Sequence, residues 1–195
     1  MKKHFLFIVL SVLFGTTGVG QSFNTNNLTW FGIDYTNCYF LTPMDFPNVG
    51  DLKTKIRAWN DLVLYERDKY INKTLKGKNV KSALETVNKR NETINVRDHL
   101  TDDGFKSSHL DPAKVQEIIS SYDIPEGLSG TGLVLIAESY SKPNEQGAYY
   151  VAFFDIATKK VFATERMLAK PGGFGLRNYW AKTYYTVLKE VGKKY

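Results

Sequence analysis

Gly132-Leu133-Val134-Leu135-Ile136-Ala137-Glu138-Ser139-Tyr140 and, a few residues on, Ala148-Tyr149-Tyr150-Val151-Ala152-Phe153-Phe154 are the stretches whose reading decides the fold. Each is too short for an ordinary buried helix and is rich in branched or aromatic residues, which predicts strands. In both, odd and even positions alike are apolar, and a strand tolerates that only where both of its faces are covered. Pro143, Asn144 and Gly147 link them. The chain turns over residues 155–160 and returns over 161–168, where Thr164, Glu165 and Arg166 interrupt the apolar run. That pattern predicts an edge strand whose charges guard it against stray pairing. After Pro171-Gly172-Gly173-Phe174-Gly175, the residues Leu176, Tyr179, Trp180, Tyr184, Val187, Leu188 and Val191 fall on one face at helical spacing. The chain thus ends in a three-stranded meander with a C-terminal amphipathic helix laid across it.

Earlier residues carry weaker patterns. Residues 28–35 read as a strand in which Gly32 lets another backbone approach. Residues 37–50 are a turn-rich connection, and residues 51–70 a helix with Asp51 as its cap. Residues 76–91 keep helical spacing at Val80, Leu84 and Val87, with Asn79 as a plausible cap, and residues 93–96 suit a short strand. Asp111-Pro112 signals the start of a further helix whose apolar face is Val115, Ile118, Ile119 and Tyr122. The expected fold class is α/β or α+β, with a mixed, largely antiparallel sheet covered by helices.

The 195 residues, 43% of them hydrophobic, suffice for one domain with a sizeable core. Met1-Lys2-Lys3-His4, the apolar run to Phe14 and the small residues ending in Gly18-Val19-Gly20 have the three parts of a secretory signal peptide. The expected organisation is a signal peptide over 1–20 and a single α/β domain over 21–195, exported to a periplasmic or extracellular location. The apolar run is too short to span a membrane, and no transmembrane segment is expected after cleavage. Loss of Lys2 and Lys3 leaves 24 basic against 20 acidic residues, a net charge of +4. Those lysines are scattered among acids without interleaved aromatics, so nucleic acid is not an expected partner. Cys38 is the only cysteine, so no internal disulfide forms, and its neighbours Tyr39, Phe40 and Leu41 suit a buried hydrophobe.

Gly172, Gly173 and Gly175 before a helix form the most site-like feature, because such backbone amides and a helix N-terminus attract anions, and Arg177 adds a fork of donors. The segment lacks the Lys-Ser/Thr ending of a phosphate-binding loop, and a tight strand-to-helix joint is the preferred reading. Asp34, with Thr36 two residues on, stands at a strand end where α/β folds often keep catalytic acids; an Asx-turn is the plainer account. His99 and His109 with Asp98, Asp102 and Asp103 have metal-ligand residue types but no ligand spacing, so they read as surface loop. No nucleophile motif is present, and neither catalytic residues nor a cofactor nor a metal is expected.

At residues 151–158 and again over Gly172-Gly173-Phe174-Gly175-Leu176-Arg177-Asn178-Tyr179-Trp180, the chain resembles a family of small uncharacterised exported bacterial proteins, mainly over residues 110–195. In layout it also looks distantly like the periplasmic α/β domains of the TolB and curli-secretion lipoprotein type. Lys159 stands where their hairpin has glycine, and no lipid-bearing cysteine is present. The resemblance implies an envelope role and carries over no catalytic residue. Two functions are expected from all this. One is a non-catalytic envelope protein that binds a protein partner or itself. The alternative is a binder or hydrolase of a small anionic ligand at the 172–177 loop, with Asp34.

Overall fold

The computed structural model describes residues 24–46 and 48–195. The expected signal peptide and the start at Gln21 lie outside the described residues. Within them, one sheet contains β1 (Asn27–Asp34), β2 (Tyr39–Leu41), β3 (Asn79–Ser82), β4 (Leu100–Thr101), β5 (Thr131–Ser141), β6 (Gln146–Asp155) and β7 (Val161–Ala169). Helices α1 (Val49–Tyr65), α2 (Glu85–Glu92), α3 (Pro112–Ser120) and α4 (Gly175–Lys194) cover it.

The sheet is mostly parallel, which corrects the largely antiparallel expectation. β1 pairs in parallel with β3 and β5, and β2 with β4 and β5. Only the terminal meander, β5 to β6 to β7, is antiparallel. Apolar runs report that a strand is covered on both faces, but they do not report its direction. Direction is set by connections, and those after β1 and β3 contain helices long enough to cross over.

Four further local readings change. Residues 76–91 are not one helix: Asn79 opens β3, its N–H donating to Asn26 O (2.7 Å), and α2 starts only at Glu85. Val80 is the sole buried residue of β3, too little to distinguish a strand from a helical face. Asn48, not Asp51, caps α1, its side chain accepting from the Asp51 N–H at 2.9 Å. Residues 96–99 form a 3-10 turn, and β4 lies just beyond it. β2 falls inside the connection read as turn-rich. By contrast, Asp111 does cap α3, accepting from Lys114 N at 2.7 Å with Pro112 in the first position.

β6 occupies one edge of β5 for its whole length, so β1 and β2 share the other edge end to end. Asp34 lies beside Ile136, and Tyr39 beside Ser139. From β1 the chain crosses through α1 to β3 and returns past β1, through α2 and α3, to β5. Crossovers of the same right hand that run in opposite directions place their helices on opposite faces. Accordingly α1 and α4 pack on Trp30, Ile33, Leu135, Tyr149, Val151 and Phe153. On the other face Val87 of α2 and Val115, Ile118 and Ile119 of α3 pack with Phe31, Val134, Ile136 and Phe154.

Two glycines permit this layering. Gly32 (φ +102°) sits at a register shift of β1, where Asn60 of α1 bridges the next peptide, accepting from Ile33 N (2.7 Å) and donating to Ile33 O (3.0 Å). Gly192 in α4 lies against the Thr74 carbonyl, where an added Cβ would be only 1.8 Å from the oxygen.

The α1/α4 core carries an internal polar chain. The hydroxyls of Tyr35 and Tyr140 are 3.0 Å apart, those of Tyr140 and Tyr149 2.6 Å, and Tyr149 meets Thr183 Oγ1 at 2.5 Å. Thr183 in turn donates to Trp180 O at 2.7 Å. Trp180 stacks on Tyr140 with ring centroids 4.4 Å apart. Burying a hydroxyl without a partner would cost a few kcal/mol, and the chain removes that cost by letting the phenols satisfy one another.

Burial pushes the phenols of Tyr35, Tyr140 and Tyr149 above their ordinary value, and burial with the adjacent Asp34 does the same for Tyr122. The neutral form is therefore favoured in the folded state. The stability it contributes is fully present below about pH 10, the unfolded value, and is lost as pH rises beyond it. Alkaline titration followed at the tyrosinate absorbance is expected to show a class of phenols that ionise only together with loss of tertiary circular dichroism. Ionisation of every tyrosine near pH 10 with the fold intact would contradict the buried chain.

Candidate functional site

Asp34 ends β1, where the chain leaves the sheet in a turn closed by Cys38 N donating to Tyr35 O (2.9 Å). Its Oδ1 accepts from Thr36 N (2.9 Å) and Thr36 Oγ1 (2.6 Å), an Asx-turn. Its Oδ2 accepts from Arg90 Nε (3.1 Å) and Tyr122 OH (3.0 Å). A carboxylate offers about four lone-pair positions, and here all are taken. A general base or nucleophile needs one of them free, so this arrangement suits a clamp. Arg90 extends the clamp from α2 to Thr36 Oγ1 (3.2 Å) and Ser121 Oγ (3.0 Å), with its guanidinium over the Tyr122 ring. Above it lies a cleft of about 400 Å³ lined by Thr36, Thr86, Lys89, Arg90, Ser121 and Asp123. The cleft stands at the carboxyl end of β1, where open α/β sheets place their ligands.

A second buried carboxylate was not singled out in the sequence. Glu138 falls where the β5–β6 register shifts between Ala137 and Ser139, and such a bulge re-aims a side chain. It accepts from Leu110 N (2.9 Å) and Arg166 Nε (2.6 Å), while Arg166 Nη2 donates to Ser107 O (2.9 Å). The legible signal was a lone acid inside an apolar strand, since a buried charge requires a partner. Asp34 and Glu138 both side with α3, and each holds a loop to the sheet through an arginine.

Gly172 and Gly173 lie on the opposite face, with α4. Gly172 N donates to Tyr179 O (2.9 Å), which folds the loop back on its own helix. Together with Lys69, Lys73, Asn178 and Lys182 they line a cleft of about 450 Å³. Two of its cations are already paired, Lys69 with Glu66 and Lys73 with Asp68. Arg177 and Gly175 do not line this cleft. Arg177 is exposed, its Nε reaches Asn178 Oδ1 (3.3 Å), and its carbonyl accepts from Trp59 Nε1 (3.0 Å). The structure therefore does not bring Asp34 to the glycine loop.

His99 and His109 come closer to each other than their sequence separation suggested. Both rings pack on Tyr39, with centroids 5.6 and 4.9 Å away, and each Nδ1 bonds a backbone carbonyl, of Cys38 and Lys106 respectively. Asp98 and Asp103 are turned instead to Asn95 and to the Phe105 N–H. Among the described residues no three His, Cys, Asp or Glu side chains converge as a metal site would require. Cys38 is free and buried, and burial pushes its thiol above the usual range.

One end of the sheet carries unburied apolar side chains. Met44, Phe105 and Phe174 are 89, 90 and 95% exposed. They follow within a few residues of the ends of β2, β4 and β7, three strands that run in the same direction as β5. All three therefore project from loops at the carboxyl end of the sheet. Ion pairs Lys142–Asp45 and Lys170–Glu145 lie in the same set of loops.

Removing the arginine of a buried pair strands its carboxylate, which costs about 3–5 kcal/mol. Arg90→Ala is expected to destabilise by about that amount, and Arg90→Ala with Asp34→Asn by clearly less, because no charge is then left buried. Urea denaturation of the two variants decides. Equal losses would mean that Asp34 is not held by charge.

In comparison with known proteins, no family model matches the chain and no curated protein matches it, so the functional argument rests on this geometry.

Proposed function

We propose that the protein is an exported, non-catalytic interaction module of the cell envelope that docks a partner protein at the carboxyl end of its sheet. The observation that carries this reading is the trio Met44, Phe105 and Phe174, each almost fully exposed and each from a different loop at that end. Large apolar side chains held out of a well-packed core are the usual anchors of protein interfaces, and a rim of polar and paired residues is their usual surround. The saturated carboxylate of Asp34 supports the same reading, because its four hydrogen bonds leave no free lone pair of the kind that acid–base chemistry calls for. No helix among the described residues is long and apolar enough to cross a membrane, which suits attachment through a partner.

Photo-crosslinking in the producing cell tests it. A crosslinking amino acid at position 174 or 105 is expected to give one discrete heteromeric product. The same group at position 65, equally exposed but at the far end of α1, is expected to give none. N-terminal sequencing of the crosslinked exported protein is expected to begin at Gln21. Products of equal yield from all three positions, or an intact Met1, would overturn the docking end or the address respectively.

A second reading, a small anionic ligand at the 172–177 loop, is favoured by one observation: Lys69, Lys73 and Lys182 surround Gly172 and Gly173. A thermal-shift screen against phosphates, nucleotides and acidic glycans separates it. As a joint, the loop gives no ligand-dependent shift in wild type or in Lys182→Ala, which removes a cation that lines the cleft. A compound that stabilises wild type but not the variant would displace the docking reading.

A further inference from the structure

We propose that the cleft above Asp34 and Arg90 is a site for a small zwitterion, a free amino acid with a short polar side chain, whose carboxylate meets Arg90 and whose ammonium meets Asp123. The site goes beyond the docking reading and does not depend on it. The cleft, of about 400 Å³, lies at the carboxyl ends of α2 and α3, since the residues that close those helices, Thr93 and Ser121, both line it.

Its donors come down to one guanidinium that is already held in place. Of the five N–H groups of an arginine, Arg90 gives Nε to Asp34 and one each from Nη1 and Nη2 to Ser121 Oγ and Thr36 Oγ1. One N–H on each terminal nitrogen is left over. Fully buried Asp34 and the Tyr122 ring fix the group before a ligand arrives, while the arginine side chain itself keeps access to solvent. A planar fork fixed in this way loses little freedom on bonding a carboxylate. Lys89, the other cation of the lining, is paired with Glu85 (2.9 Å).

The rest of the lining can only accept. Thr86 Oγ1 donates to Asp123 O (2.9 Å), Thr93 Oγ1 to Arg90 O (2.8 Å) and Ser121 Oγ to Ile118 O (2.6 Å), so these hydroxyl hydrogens are committed and lone pairs alone remain for a ligand. The two helix ends also favour positive charge. Asp123 is exposed, and its carboxylate has neither an ion pair nor a hydrogen bond among the described residues. A simple anion would therefore meet Asp123 and two negative helix ends, and a simple cation would meet Arg90. A molecule that carries both charges satisfies both. Among the described residues no wholly apolar side chain lines the cleft, so a long hydrocarbon side chain on the ligand gains nothing there.

Isothermal titration of the purified protein with L-serine, with glycerate, which lacks the ammonium, and with ethanolamine, which lacks the carboxylate, tests the assignment. Serine is expected to bind, and each analogue to bind about tenfold or more weakly, the loss of one charged hydrogen-bonding group. L-leucine is expected to bind less tightly than serine. Asp123→Asn removes a carboxylate with no partner to strand, so its melting temperature is expected to match that of the wild type while its affinity for serine falls about tenfold or more; this variant keeps the test independent of the fold, which Arg90→Ala does not. No binding of serine at millimolar concentration, an analogue or leucine that binds as tightly as serine, or an Asp123→Asn protein with wild-type affinity would each overturn the proposal. Crosslinking at positions 105 and 174 reads the docking surface separately, so failure of either idea leaves the other standing.

Discussion

Enclosure of β5 on both faces and along both edges is the constraint on which the structure depends. Its eleven residues are all buried, and β1, β2 and β6 together occupy its two edges. A strand so enclosed leaves no route to solvent for any polar group it carries. Glu138 must therefore find its compensation inside, and it does so because the β5 bulge aims it at Arg166 and the Leu110 N–H. The same requirement acts on Asp34, which closes the neighbouring strand and recruits Arg90, Tyr122 and Thr36. Each arginine is partly solvated while its carboxylate is not, so each pair keeps some hydration on the cationic side. That asymmetry reduces the desolvation penalty that makes fully buried pairs weak contributors to stability.

The two faces solve the packing problem differently. The α3 face is aliphatic and aromatic with its polar groups concentrated in the two arginine clamps. The α1/α4 face is built on stacked rings, and a run of its hydroxyls passes through the Tyr35–Tyr140–Tyr149–Thr183 chain to the Trp180 carbonyl. Phenols give large buried area for few rotatable bonds, but each brings a hydroxyl that needs a partner. Placing four hydroxyls in sequence lets each serve as its neighbour's partner, so the core can take three tyrosines at its centre without water.

How much of this could be read from the sequence follows from what periodicity reports. β5, β6, β7 and α4 were legible because long runs carry unambiguous patterns, and the Asp111-Pro112 start of α3 because capping is local chemistry. Strand direction was not legible: a parallel and an antiparallel strand covered on both faces have the same composition, and only the crossover through α1 distinguishes them. β2, β3 and β4 are too short for alternation to appear, and β3 has one buried residue. Asp34 was legible as an Asx-turn at a strand end, whereas its partners Arg90 and Tyr122 lie 56 and 88 residues away and nothing local links them. Lys159 takes a φ of 59°, the left-handed conformation for which glycine is the ordinary choice, and nothing in its residue type announces that.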